Sequence, residues 1–303
     1  MSNAPQPGIF AIDRRCHYYL EYKLDSFADA RAATADVATA RSALRVSADA
    51  PDIVVAFGKA MWTFISPGNE PSDFEDFVPL RGRHGHDAPS TQADLWLWLN
   101  GDRPDVNFAS AMAMHEVLKD RFRLVLDQPA FTHFDSRDLI GFEDGTANPK
   151  GDDCRAAALV PEGEAGAGGS HVLTQRWATD LDAFNALEVA EQEAVIGRTK
   201  LDSVELEGDA MPADSHVSRT DVKIDGVGMK VFRRSVPYGN LSERGLYFVS
   251  FACEQRRHRV QLERMYGLAE DGIHDRLIEF SRANTGSYFF APSLDALEQV
   301  FAT

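Results

Sequence analysis

The residues with most to offer chemically lie at 141–149, Gly141-Phe142-Glu143-Asp144-Gly145-Thr146-Ala147-Asn148-Pro149. Two adjacent carboxylates sit between glycines in a segment with neither helical nor strand period. Gly141 and Gly145 permit φ > 0 or close approach to a flat ligand, and Asn148-Pro149 turns the exit toward extended backbone. The carboxylate is displayed rather than solvated, with a surface turn joining two domains as the competing reading. Other constellations offer less. His84-Gly85-His86-Asp87 lies in a polar Arg-Gly loop with no partners at metal-ligand spacing and reads as solvated. Gly226-Val227-Gly228 lacks the third glycine and the βαβ context of a dinucleotide fingerprint. Cys16, Cys154 and Cys253 are odd in number and unpaired in spacing, against both a thiolate metal site and a disulfide framework.

The 141–149 stretch resembles the G-x-x-D-G signature of the dye-decolourising peroxidases, haem enzymes that use hydrogen peroxide. The likeness continues downstream in the family's order. His216 stands in Asp214-Ser215-His216-Val217-Ser218-Arg219, and Arg233 and Ser235 stand in Phe232-Arg233-Arg234-Ser235-Val236-Pro237-Tyr238-Gly239. The resemblance covers the chain from about Phe10 onward and is to the short bacterial members, the B type. It implies haem b as cofactor, with His216 as the axial ligand to the iron and Gly145 and Asn148 in the loop against the macrocycle. A neutral imidazole supplies one strong axial donor and leaves the opposite face free for peroxide. Asp275 stands where relatives often place an acidic partner for the histidine's second ring nitrogen. Arg219 is assigned to a haem propionate.

On the peroxide side the resemblance gives Asp144 the acid-base role, taking a proton from one peroxide oxygen and returning it to the other. Arg233 holds that carboxylate ionised and stabilises developing negative charge. Arg233 and Arg234 point to opposite faces of a strand, and the spacing to Pro237 favours Arg233. Ser235 hydrogen-bonds the distal water or peroxide, where many relatives carry asparagine. The implied reaction reduces hydrogen peroxide and oxidises phenolic, dye-type or other small aromatic one-electron donors through a ferryl intermediate. Iron release from haem, or porphyrin handling, is the alternative enzyme reading, and a non-catalytic haem carrier the alternative from another class. A carrier needs no distal acid-base pair.

Composition bounds the partners. A 303-residue chain exceeds the usual single-core size, and its 44% hydrophobic residues can fill a sizeable core. A net charge of −16 argues against nucleic acid or an anionic membrane as partner. The three unpaired cysteines fit a reducing compartment, so a cytoplasmic location is expected. Arg14-Arg15 is followed by no apolar h-region, and no run reaches the length of a membrane span. The resemblance implies a homo-oligomer, a dimer or a larger ring.

These residues must be positioned by an α+β framework. The tyrosine-rich 16–24 predicts a strand, and Asp25-Ser26 caps a helix whose Phe27, Ala30, Val37 and Leu44 share a face. Residues 52–65 read as a strand bent at Gly58, and 94–99 as a strand buried on both faces. A helix over 108–122, with Met112, His115 and Phe122 on one side, precedes a strand over 123–134. Downstream, 180–196 reads as one helix with Leu181, Phe184, Leu187 and Ile196 along a face. Residues 231–236 and 245–252 read as strands, 254–280 as one or two helices, and 287–291 as a late strand before a short helix. Strand-helix-strand-strand-helix-strand is the order of a ferredoxin-like unit. The resemblance implies two such modules with antiparallel sheets, peripheral helices and haem between them, at 1–150 and 151–303. The halves show no alignable repeat. The glycine-rich, acidic 150–170 marks the boundary and reads as a surface linker or an ordered loop over the haem edge.

Overall fold

The computed structural model describes residues 3–43 and 49–302. The N-terminal half runs β1 (Cys16–Leu24), α1 (Ala30–Ala43), β2 (Asp52–Phe57), α2 (Lys59–Ile65), the short pair β3 (Leu80–Arg81) and β4 (Asp87–Ala88), β5 (Leu95–Gly101), α3 (Pro104–Leu118) and β6 (Phe122–Phe131). The C-terminal half runs α4 (Asp152–Ala158), β7 (Ser170–Thr179), α5 (Leu181–Asn185), α6 (Val189–Ile196) and α7 (His216–Thr220). It continues through β8 (Lys223–Ile224), β9 (Val227–Gly228), β10 (Phe232–Arg233), β11 (Val236–Gly239), β12 (Arg244–Ala252), α8 (Arg256–Met265), β13 (Ser281–Ala283), β14 (Ser287–Ala291) and α9 (Leu294–Phe301).

The main strands of each half pair in the same order. In the first, β2-β5-β1-β6 places the strands second, third, first, fourth. In the second, β10-β12-β7-β14 repeats that arrangement, so the chain is a duplicated ferredoxin-like α+β fold with antiparallel pairing throughout. A single register pair, Phe290 with Phe57, joins β14 to β2 and makes one continuous sheet. That sheet curls until its far strands meet. Tyr19 of β1 stacks on Tyr247 of β12 with ring centroids 3.9 Å apart, and Arg176 Nε of β7 donates to Gln128 Oε1 of β6 at 2.8 Å.

Curling separates two cores. Inside lie Tyr19, Val54, Trp96, Trp98, Val172, Val249, Phe251 and Phe289. Outside, the helices cover Leu20, Val55, Leu97, Leu99 and Phe290. Strand β5 is buried on both faces because it separates these two cores.

Several elements depart from their sequence signals. Residues 59–65 form a helix rather than a continued strand. Gly58 is its N-cap, Met61 and Trp62 turn inward, and Phe64 is left 47% exposed. A short apolar run carries no period that distinguishes the two. The expected 180–196 helix is two, broken around Leu187, with Phe184 and Ile196 buried in a common small core. Helix α3 buries Asn107, Ser110, Ala111 and Met114 and leaves Met112 half exposed, because small side chains let it lie close on the sheet. On α1, Ala30 and Val37 are buried, while Phe27 lies in the turn before the helix and is exposed, and Leu44 lies outside the described residues. The 150–170 segment is not a bare linker. Ala157, Ala158 and Val160 are buried, and a Cβ at Gly169 would stand 2.4 Å from Phe290 Cζ. Gly166 and Gly169 serve close packing on β14, and the segment contributes no residue to the large cavity described next.

Candidate functional site

A cavity with about 1660 Å³ of empty space, part of it open to solvent, lies on the outer face of β7 and β12. Alternation along these strands sends Leu173, Gln175 and Trp177, and Leu246, Phe248 and Ser250, into its wall. The loop 138–148 closes one side, and α7, α8 and the 277–281 segment close the other.

His216 opens α7. The preceding Ser215 is the N-cap, its hydroxyl accepting from Ser218 N at 3.3 Å, so the imidazole leaves the chain at a fixed point. Its Nδ1 donates to Asp275 Oδ2 at 2.6 Å. Asp275 is fully buried, and its Oδ1 accepts from Leu277 N at 2.9 Å. A ring held through Nδ1 presents Nε2 as an electron-rich donor, and His216 lines the cavity.

The loop bearing Asp144 is over-determined. Gly141 and Gly145 have φ of +94° and +87°, the left-handed conformation that their positions predicted. Phe142 packs edge-on against Phe184, and Arg137 donates to the carbonyls of Gly141 and Lys200 at 2.9 and 2.8 Å. Asn148 grips the other side of the site. Its Oδ1 accepts from Arg233 N and its Nδ2 donates to Arg233 O, both at 2.9 Å. Loop and strand are thereby locked together, and Arg233 Nη2 stands 3.6 Å from Asp144 Oδ1, with both side chains in the cavity wall. Arg234 points the other way, into the curled sheet, where its guanidinium lies 5.0 Å from the centre of the Trp98 ring.

Two expected residues are placed differently. Ser235 does not line the cavity. Its hydroxyl donates to Val249 O at 3.4 Å and accepts from Val249 N at 3.2 Å, bridging the interruption between β10 and β11. Arg219 is 2% exposed and makes two hydrogen bonds to Asp271, at 2.8 and 2.9 Å, on the far side of α7. Its donors are therefore held by a carboxylate of the chain itself. These bonds in turn hold the Asp271 carboxyl down at about 2.

Residues without a sequence signature complete the wall. Asp138 accepts from the backbone N–H groups of Ile140 and Phe142 at 3.1 Å, and burial, then the nearby Asp144 charge, pushes its carboxyl up to about 7. Arg198 reaches the cavity with Glu205 as its ion-pair partner. Ser250 Oγ and Gln175 Nε2 are buried in the wall with no hydrogen-bond partner. In the His84–His86 loop His86 stacks on His274 and His84 lies tilted against it, and no cluster able to hold a metal ion occurs among the described residues.

The cavity suits a flat, largely apolar macrocycle with an iron at its centre. It has one oriented imidazole, apolar walls from Leu173, Phe248, Leu262 and Met265, and an arginine-carboxylate pair. The chain matches the family models "Dyp-type peroxidase, N-terminal" over residues 18–128 and "Dyp-type peroxidase, C-terminal" over 135–296. It is 36% identical over 249 residues to a dye-decolorizing peroxidase of Mycolicibacterium paratuberculosis, covering 81% of this chain and 70% of that protein. Among solved structures, a dyp-type peroxidase protein of Shewanella oneidensis superposes with a TM-score of 0.92 at 32% identity, over 99% of both chains. A haem complex of a DypB variant from Rhodococcus jostii superposes at 0.86 and 36% identity, over 93% of this chain and 94% of that one.

Proposed function

Because this chain belongs to the dye-decolourising peroxidase family and is a haem peroxidase, we propose that His216 would ligate the iron and that Asp144 and Arg233 would activate peroxide in the same cavity. Haem b, when bound, supplies the redox iron at which peroxide is reduced and which single electrons from a donor return to rest. The chain supplies the remainder. Asp144, paired with Arg233, accepts a proton from one peroxide oxygen and returns it to the other. The Arg233 guanidinium faces the negative charge that develops as the O–O bond lengthens. Asp275 fixes the tautomer and orientation of His216 and makes its donor nitrogen more basic.

The observation that carries this reading is the pairing within one cavity of a carboxylate-held imidazole and an arginine-held carboxylate. A non-catalytic haem carrier has no use for the second pair. With Arg219 held by Asp271, Arg198 is the cation we assign to a propionate. Ser235 acts by holding the Arg233 strand rather than by touching peroxide.

Small aromatic reductants are the donors we assign, together with hydrogen peroxide as oxidant. A net charge of −16 opposes binding to nucleic acid or an anionic membrane. No helix among the described residues is long and apolar enough to cross a membrane. A homo-oligomer is carried over from the resemblance, and three free cysteines support a cytoplasmic location. We keep the module boundary at 150/151, with β1–β6 before it and β7–β14 after it. The test is the absorption spectrum of haem-loaded protein before and after one equivalent of peroxide in a stopped flow. A rapid spectral change that a phenol then reverses supports the reading, and a haem inert to peroxide overturns it.

A further inference from the structure

A carboxylate lies inside the curled sheet with no ion-pair partner among the described residues. Glu21 is 1% exposed. Its Oε1 accepts from the Tyr247 hydroxyl at 2.9 Å and from Thr174 Oγ1 at 3.0 Å, and its Oε2 accepts from Ser287 Oγ at 3.4 Å. Burial pushes the carboxyl up to about 7. The Tyr247 hydroxyl also accepts from Trp96 Nε1 at 3.1 Å, and its ring is stacked on Tyr19. This group sits just behind the haem cavity. Leu246 and Phe248, on either side of Tyr247, line that cavity, as do Leu173 and Gln175 on either side of Thr174. Packing alone does not call for a carboxylate here, since a neutral amide would accept from the same hydroxyls without the cost of a buried charge.

We propose that Tyr247 is a redox site of this peroxidase, holding one of the two oxidising equivalents left by peroxide as a neutral tyrosyl radical, with Glu21 as its proton acceptor. The proposal rests on the haem-peroxidase reading. One electron leaves Tyr247 for the oxidised haem, its O–H bond breaks, and the proton moves to Glu21 Oε1, so no charge is created in the interior. An electron from the aromatic donor and the proton from Glu21 later restore the phenol. The neighbouring rings are poorer sites. The Tyr19 hydroxyl is buried without a hydrogen-bond partner, so its proton has no acceptor. Trp98 would first become a cation beneath the Arg234 guanidinium, which is bonded to the carbonyls of Ile9 and Ala11 and brings no carboxylate. Tyr247 alone among these rings combines stacking, a base at hydrogen-bond distance and a place behind the cavity wall.

The groups packed on Glu21 are Tyr247 from β12, Thr174 from β7, Ser287 from β14 and its register partners Trp96 on β5 and Leu126 on β6. Of these Tyr247 alone titrates, and Tyr19, stacked on it, is the next titratable group. Haem-loaded protein is mixed with one equivalent of peroxide without donor, frozen within milliseconds and examined by electron paramagnetic resonance, with absorbance followed in parallel. The expected result is a tyrosyl signal that narrows with ring-deuterated tyrosine, is lost in Tyr247→Phe and persists in Tyr19→Phe. Its yield rises with pH through about 7 as Glu21 ionises, and Glu21→Gln abolishes that rise. If Glu21→Gln does not fold, the two tyrosine variants still decide. An undiminished tyrosyl signal in Tyr247→Phe, with haem that responds to peroxide as in the parent, overturns the proposal alone. Haem that does not respond to peroxide overturns the peroxidase reading and the proposal with it.

Discussion

Nδ1 of His216 lies 2.6 Å from Oδ2 of Asp275, a carboxylate with no solvent exposure. An imidazole bonded in this way acts as a stronger donor than one bonded to water, and it favours the more oxidised iron. Asp275→Asn keeps the space and weakens the pull on the proton. We expect the variant to bind haem, with the ferric–ferrous midpoint potential raised and a loss of about 10- to 100-fold in haem affinity or peroxide reactivity. Spectroelectrochemical titration checks the direction, and an unchanged potential would remove Asp275 from its assigned role.

Of the two histidines that line the cavity, His216 is the one held by a carboxylate, whereas the buried His258 has neither ring nitrogen hydrogen-bonded. His216→Ala is expected to lose haem or to bind it with an altered absorption spectrum, while the circular dichroism of the apoprotein stays unchanged. Full haem occupancy with the parent spectrum counts against ligation.

Asp144 and Arg233 face each other at 3.6 Å, and in the proposed reaction both act on the peroxide. Asp144→Asn and Arg233→Leu should retain haem and slow the reaction with peroxide by about 10²- to 10⁴-fold, the range typical of lost acid-base or charge-stabilising groups. Stopped-flow rates at low peroxide concentration measure this. Parent rates in both variants would mean that peroxide is activated elsewhere.

The roles proposed for Arg219 and Arg198 separate structure from cofactor binding. Arg219→Met breaks the two hydrogen bonds to Asp271, which is 36% exposed, and should cost roughly 1–3 kcal/mol of stability with haem affinity unchanged. Arg198→Ala should do the reverse, weakening haem binding with little loss of apoprotein stability. Urea unfolding together with haem titration of both variants tests the pair of assignments.

The sequence signalled those parts of the site whose chemistry is local. Two glycines at left-handed φ around Asp144, and a strand that divides Arg233 from Arg234, are short-range consequences of residue type. The ferredoxin-like order was legible because most strands and helices carry their own period. Strand β7 was not. It is buried on both faces and carries Ser170, His171, Thr174 and Gln175 among its apolar residues, so no alternation marks it. The pairing of Arg219 has no local signal, because its partner Asp271 lies 52 residues on and meets it through the packing of α7 on α8. Arg198 sits in no motif, and only the folded wall reveals it.

Asp138 was missed for a related reason, since an aspartate shortly before a glycine reads as an ordinary turn. In the fold it anchors the Asp144 loop through two backbone N–H groups, and its carboxyl is pushed up to about 7. The unfolded chain releases this proton near pH 4, so the folded state holds an extra proton between about pH 4 and 7 and stability falls as pH rises through that interval. The linkage amounts to at most about 4 kcal/mol across the interval. Asp138→Asn keeps an acceptor for Ile140 N and Phe142 N and removes the titration. The variant should gain stability relative to the parent as pH rises from about 4 to 7, with a flat difference above that. Chemical denaturation at closely spaced pH values measures it, and a stability difference that does not vary with pH would show that Asp138 is ionised in the folded protein throughout.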